Sequence, residues 1–344
     1  MELRVESVTV AMGTAFATGH GTVSARELVL VSLTDGEGAT GHGEAAPLPS
    51  YDGVSASAVR AALEECRPVL ADAGGAEPAD VLARCAEATL LPQALAAIDL
   101  ALWDLAGKRA AQPVWRLLGA APPAPVTVNW TISADDRAGA AREAARARET
   151  GFTTVKAKVA IGDDPGRLAA IRAAAGVEMN IRIDANGAWS PAEAEAALRI
   201  LEPVGIELCE EPVRGADAIR ALRPHTPIPL ALDESADDPG ALADPAADLV
   251  CLKIARCGGI AGTIAAARRA RAAGFGVYLA STLDGPLGIA AALHAAAVIA
   301  PEPACGLATL AMFAGRPDPL PARGGTIAPP SAPGLGDGLL DWYR

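Results

Sequence analysis

The chain has 344 residues, of which 51% are apolar and only 3% aromatic, with a formal net charge of -12. That length predicts one large and one smaller domain around cores of Ala, Leu, Val and Ile. The acidic balance argues against nucleic acid or an anionic membrane as partner, and an anionic substrate would need local lysines or a metal.

The start, Met1-Glu-Leu-Arg-Val-Glu6, has no signal-peptide pattern, so a cytoplasmic protein is expected. Residues 1–50 read as a β meander. Leu3 to Val10 alternates, a Gly-rich connection follows, and Glu27 to Leu33 is the next strand. Asp35-Gly36 then turns the chain toward Ala39–Glu44. Residues 54–120 read as helices, the clearest being Leu95 to Gly107, apolar on most faces. Near Pro122-Pro123 the texture changes. From Val126 onward, eight strand candidates alternate with Ala/Arg/Glu-rich helical runs: 126–132, 154–159, 180–185, 206–210, 228–234, 249–254, 276–281 and 304–309. Such alternation predicts βα units closing into a barrel. The Pro- and Gly-rich residues 316–335 predict a short or missing last helix and a tail returning to the N-terminal unit.

The longest apolar stretch, roughly 285–300, falls short of the ~20 residues of a spanning helix, so no membrane partner is expected. The six cysteines form no CxxC pair and no His cluster. A zinc site or disulfide framework is therefore not expected. Cys209, Cys251 and Cys305 fall inside predicted strands and read as small apolar residues.

Charged residues close five successive strand runs. Asp184, Glu210 and Asp233 are 26 and 23 residues apart, and Lys253 comes 20 later, about one strand-helix unit each time. Side chains at the same end of barrel strands converge on one mouth. Three carboxylates there suit a hard cation, magnesium or alternatively manganese. Because side chains alternate along a strand, only one of Glu210-Glu211 points inward. Glu210 is the preferred ligand and Glu211 lies behind it. By the same argument Asp233 is preferred over Glu234. Asn186 either supports the metal or substrate through its amide or is simply a turn residue before Gly187. Lys156 and Lys158, at i and i+2, face one side, and Lys253 faces them across the barrel. A metal between opposed lysines suits removal of a proton α to a carboxylate, with the charge of the enediolate offset by metal and lysine.

These residues resemble the enolase superfamily, muconate-lactonizing-enzyme subgroup. The matching segments are Lys156-Ala-Lys158, Asp184-Ala-Asn186, Cys209-Glu-Glu-Pro212, Leu232-Asp-Glu-Ser235, Lys253 and the helix Ala97 to Lys108. The resemblance implies an α/β fold, a modified TIM barrel (β/α)7β with an N-terminal α+β capping domain. It places the capping domain at 1–122, joined by 321–344, and the barrel at 123–320. It implies that Lys158 and Lys253 are the acid/base pair and that Lys156 neutralises a small-molecule carboxylate substrate. Mobile loops near 14–22 and 47–53 would cap the site, with Phe16, His20 and Tyr51 as candidate substrate contacts. Ser281, which closes the seventh strand, and Thr282 and Asp284 after it are further candidates. Subunits of such families form homo-oligomers.

Gly43 to Pro49 and Leu283 to Ala291 are similar to o-succinylbenzoate synthases, which dehydrate a cyclohexadiene carboxylate on the menaquinone pathway. That activity is the first expectation. Dipeptide epimerases usually carry an Asp-x-Asp near the eighth strand, whereas residues 305–313 hold no acid. They remain an alternative, with N-acylamino-acid racemases and muconate-type cycloisomerases. A non-catalytic binding barrel is the alternative from outside the enzymes, and it predicts lost charged residues.

Overall fold

The computed structural model describes residues 1–18 and 21–344. It begins with an antiparallel sheet in the order β1 (Glu2–Thr18), β2 (Gly21–Thr34), β3 (Thr40–Ala45). The connection expected between residues 10 and 27 instead prolongs both strands, with pairing from Glu2↔Thr34 to Thr18↔Gly21. An irregularity between Ala11 and Phe16 absorbs the mismatch, and Met12 and Phe16 bury there.

Four helical segments follow: α1 (Pro49–Asp52), α2 (Ala56–Ala71), α3 (Pro78–Ala88) and α4 (Pro92–Arg109), then a turn of helix, α5 (Val114–Leu117). Helix α4 packs against β2 and β3 as well as later helices, which is why its sequence is apolar nearly all round. Its approach to β3 is set by glycine. A Cβ on Gly43 would lie 2.0 Å from the Ala97 carbonyl oxygen, and one on Gly41 2.1 Å from that of Ala101.

The second unit runs β4 (Val126–Thr127), β5 (Trp130–Ile132), α6 (Arg137–Glu149), β6 (Thr154–Lys158), α7 (Asp164–Ala175), β7 (Asn180–Asp184), α8 (Pro191–Leu201) and β8 (Ile206–Glu210). It continues through α9 (Ala216–Leu222), β9 (Leu230–Leu232), β10 (Leu249–Leu252), α10 (Ile260–Ala273), β11 (Gly276–Leu279) and α11 (Pro286–Ile299). Strands β5 to β11 form a curled parallel sheet in sequence order. The eighth strand is reduced to parallel bridges, Val128↔Cys305 and Ala280↔Gly306, which join the two edges and close the ring. This is the modified (β/α)7β barrel with a capping domain expected from sequence. Between β9 and β10 the connection is only a 3-10 turn, Glu234–Asp237, and further turns. Pro239, Gly240 and Pro245 explain the missing α-helix there.

The carboxylates of α4 staple the units together. Asp99 Oδ2 accepts from the Ile260 N–H at 2.6 Å, capping α10 from another helix. Asp104 accepts from the N–H groups of His42 at 2.8 Å and Leu335 at 2.9 Å. The tail pairs β12 (Thr326–Ile327) with β4 of the second unit and then meets the N-terminal unit at the Pro113↔Gly334 bridge. Helix α11, apolar on every face, is buried between barrel, cap and tail. No helix among the described residues is long and apolar enough to cross a membrane.

Candidate active site

Parallel pairing puts Lys158 opposite Asp184 and Asp184 opposite Glu210, so three adjacent strands end in one charged layer. Beyond it the strands turn sharply: Asn186 and Glu211 both have left-handed backbone, with φ of 47° and 43°. Such conformations are costly for most residues, least so for Asn, and concentrate at functional sites. The turn at Glu211 aims its carboxylate behind the layer. There it accepts from the Asp233 N–H at 2.8 Å, the Ser235 N–H at 3.1 Å and the Ser235 hydroxyl.

Each inward carboxylate holds a lysine. Lys156 Nζ lies 2.8 Å from Asp184 Oδ2 and 2.6 Å from Glu210 Oε1. Lys158 Nζ donates to Asp184 Oδ2 at 2.6 Å and Asn186 Oδ1 at 2.7 Å. Lys253 pairs with Asp233 and donates to the Tyr51 hydroxyl at 2.6 Å. Asn186 Nδ2 in turn donates to Glu234 Oε1 at 3.0 Å.

Burial works against the Lys156 ammonium, but Asp184 and Glu210 outweigh it and raise its pKa above the usual lysine value. Lys253 is raised in the same way by Asp233. Burial alone would push the Asp184 carboxyl up. Lys156 and Lys158 reverse that and hold it below the usual range. Glu210, dominated by burial despite Lys156, is pushed up to about 7.

One cavity is lined by Lys156, Lys158, Asp184, Asn186, Asp233 and Lys253. Phe16, Tyr51, Ser281 and Thr282 also line it, so capping-unit and barrel residues meet around the same space. Asp284 does not line it. Its carboxylate is buried and accepts from the Thr282 N–H at 3.1 Å and hydroxyl at 2.7 Å. His20 lies outside the described residues.

Four residues of the site escaped the sequence reading. Tyr278 donates to Glu210 Oε2 at 2.6 Å. Arg182 fills the barrel beneath it, with its guanidinium 5.3 Å from the Tyr278 ring and paired with Glu207. Arg256 bonds the Tyr51 hydroxyl at 2.7 Å. Cys251 groups with Glu210 and Asp233, their ligand atoms all within 4.8 Å. The i, i+2 spacing of Cys251 and Lys253 was the available signal for the last.

The donor set fits a divalent cation. Glu210 and Asp233 converge, and Asp184 is joined to Glu210 through a single ammonium. Burial pushes the Cys251 thiol well above its usual value. Asp184, Glu210 and Asp233 would offer carboxylate oxygens to such an ion, a set suited to a hard cation.

Residues 139–340 match the family model described as enolase C-terminal domain-like. Residues 1–119 match the mandelate racemase / muconate lactonizing enzyme N-terminal domain. The chain is 31% identical over 310 residues to the L-Ala-D/L-Glu epimerase of Bacillus subtilis, covering 86% of this chain and 84% of that one. It is 36% identical over 226 residues to the o-succinylbenzoate synthase of Thermobifida fusca, covering 62% and 68%. The crystal structure of a dipeptide epimerase from Cytophaga hutchinsonii, complexed with Mg and D-Ala-L-Val, superposes with a TM-score of 0.88 at 27% identity, covering 99% of this chain and 98% of that one.

Proposed function

This chain belongs to the mandelate racemase / muconate lactonizing enzyme group of the enolase superfamily, and on that premise we propose that it is a racemase or epimerase. Its substrate would be an N-acylated amino acid, a class that includes the C-terminal residue of a dipeptide. The observation that carries this reading is the placement of Lys158 and Lys253 in one cavity, at the end of β6 and just past β10, with β7, β8 and β9 between them. Bases four strands apart in a closed barrel can serve opposite faces of one carbon.

Lys158 would take the α proton from one face, and Lys253 would deliver a proton to the other. Lys156 would offset negative charge where the substrate carboxylate lies. A divalent cation held by Asp184, Glu210 and Asp233, magnesium by preference and manganese in its place, would bind that carboxylate and offset the charge that develops as the proton leaves. Glu211 and Asn186 would fix the ligands and Lys158. The same reading divides the chain into a capping unit, 1–122 with 321–344, and a barrel, 123–320.

Relatives favour this over the dehydration expected from sequence, because the epimerases match over most of both chains. The synthase remains the second reading, supported by 36% identity over a shorter span. Beyond the lysines, the carboxylates and Asn186, the described cavity wall is apolar or hydroxyl-bearing, from Val23, Leu48 and Met312 to Ser50 and Thr309. A charged substrate tail buried there would go unpaired, so an uncharged acyl group and side chain fit best.

The test is incubation in deuterated water with single enantiomers of N-acylamino acids, with dipeptides, and with the cyclohexadiene carboxylate. Inversion with deuterium at the α carbon supports the proposal. Loss of water from the cyclohexadiene with no exchange into recovered substrate would replace it with the synthase.

A further inference from the structure

We propose that Arg256 and Tyr51 form a latch that holds capping segment α1 on the barrel and orients the Lys253 ammonium toward the substrate. The proposal rests on the reading of Lys253 as one of the two bases.

Tyr51 is carried by α1, whereas its hydroxyl reaches Asp233, Lys253 and Arg256 of the barrel. The oxygen accepts from Lys253 Nζ at 2.6 Å and from Arg256 Nη1 at 2.7 Å, and donates to Asp233 Oδ1 at 2.7 Å. The ring is engaged too, with Lys253 Nζ 4.5 Å and Arg256 Cζ 5.2 Å from its centroid. A capping side chain is thus wedged between two cations and a carboxylate at the mouth of the cavity.

Arg256 is itself fixed from the other side. Its Nη1 donates to the Asp233 carbonyl at 3.2 Å, its Nη2 to the Glu234 carbonyl at 2.9 Å, and its Nε to Asp237 Oδ2 at 2.8 Å. A planar fork with five donors can hold two carbonyls, a carboxylate and a phenol together. A lysine cannot.

The consequence falls on Lys253. An ammonium has three N–H donors. One goes to Asp233 and one to Tyr51, which leaves one for a substrate in the cavity that Lys253 and Tyr51 both line. Without Tyr51 the ammonium would keep a single tether and could rotate away. Lid closure and alignment of the base are therefore one event.

The turn that carries Tyr51 is built by its own bonds. The Tyr51 N–H donates to the Leu48 carbonyl at 2.7 Å, and Asp52 accepts from the Val54 N–H at 2.9 Å and from Gln93 at 3.0 Å. Tyr51→Phe should fold with only the latch removed. Arg256→Met gives an independent lesion.

Each enantiomer of a racemisable substrate presents its α hydrogen to one lysine, so solvent exchange can be followed at each face. In Tyr51→Phe and Arg256→Met, exchange at the Lys253 face should fall about tenfold to a hundredfold, the scale of a misplaced catalytic group. Exchange at the Lys158 face should hold. Backbone amides of 50–54 should exchange faster in both variants without substrate or metal. Equal losses at both faces, or no loss, would overturn the latch. Lys253→Ala separates the two claims. Exchange at its face that survives this change overturns the two-lysine reading and the latch with it. Exchange lost there but kept in Tyr51→Phe overturns the latch alone.

Discussion

Lys158 and Asp184 stand directly opposite each other on β6 and β7, with Lys158 Nζ 2.6 Å from Asp184 Oδ2. The proposed base and a proposed metal ligand therefore share one hydrogen bond. Any group that orients one orients the other.

Asn186 is the clearest such group, since its amide oxygen accepts from Lys158 at 2.7 Å and its nitrogen donates to Glu234 at 3.0 Å. We expect Asn186→Ala to lower kcat about tenfold to a hundredfold, with KM little changed. Steady-state kinetics decide it. A pure KM effect would mean that the amide binds substrate and does not position the lysine.

Magnesium should stabilise the protein in the absence of any substrate. A ligand bound only by the folded state adds about 2.7 kcal/mol at a hundred times its dissociation constant. Thermal unfolding should shift upward with magnesium and back with chelator. Glu210→Gln should lose most of that shift, because Glu210 and Asp233 form the converging pair. An unchanged shift in Glu210→Gln would move the ion elsewhere.

Gly43 tests the joint between sheet and helix. An alanine Cβ there would lie 2.0 Å from the Ala97 carbonyl oxygen. Overpacking of this kind costs about 1–3 kcal/mol or more. Urea unfolding of Gly43→Ala should show a lower midpoint, while Gly36→Ala, with open space at its Cβ, should not.

His294 predicts an acid limit to stability. It is fully buried on α11, where Nδ1 accepts from the Trp115 N–H at 3.2 Å and Nε2 donates to the Leu335 carbonyl at 3.1 Å. Burial lowers its pKa from 6.5 to about 4. The folded state thus resists protonation that the unfolded chain accepts. Its contribution is fully present above about pH 6.5 and is lost as pH falls toward about 4, by about 3 kcal/mol in all. Between pH 7.5 and 4.5, wild type should lose more stability than His294→Gln. Parallel losses would refute the assignment.

The convergence of Lys156, Lys158, Asp184, Glu210, Asp233 and Lys253 was legible because local rules generate it: alternation within a strand and one strand-helix unit between strands. Arg256, Tyr278 and Arg182 were not legible, because each matters through partners on other strands or on the cap. In one dimension Tyr278 is only an aromatic in an apolar strand. The long β1–β2 pairing was hidden by glycines that suggested a loop, although Met12 and Phe16 bury beside them. The eighth strand was placed correctly at 304–309 but proved to be two bridges, because the edges of β11 and residue 128 leave it little to pair with. Capping-loop contacts depend on where distant segments land, so Phe16 and Tyr51 reach the cavity while Asp284 turns under Thr282.

The most direct test of the two-lysine account is solvent deuterium exchange with each enantiomer of one racemisable substrate, in Lys158→Ala and in Lys253→Ala. The account predicts that neither variant racemises. Each should retain exchange with only one enantiomer, and the two variants with opposite ones. Racemisation at the wild-type rate by either variant would contradict it.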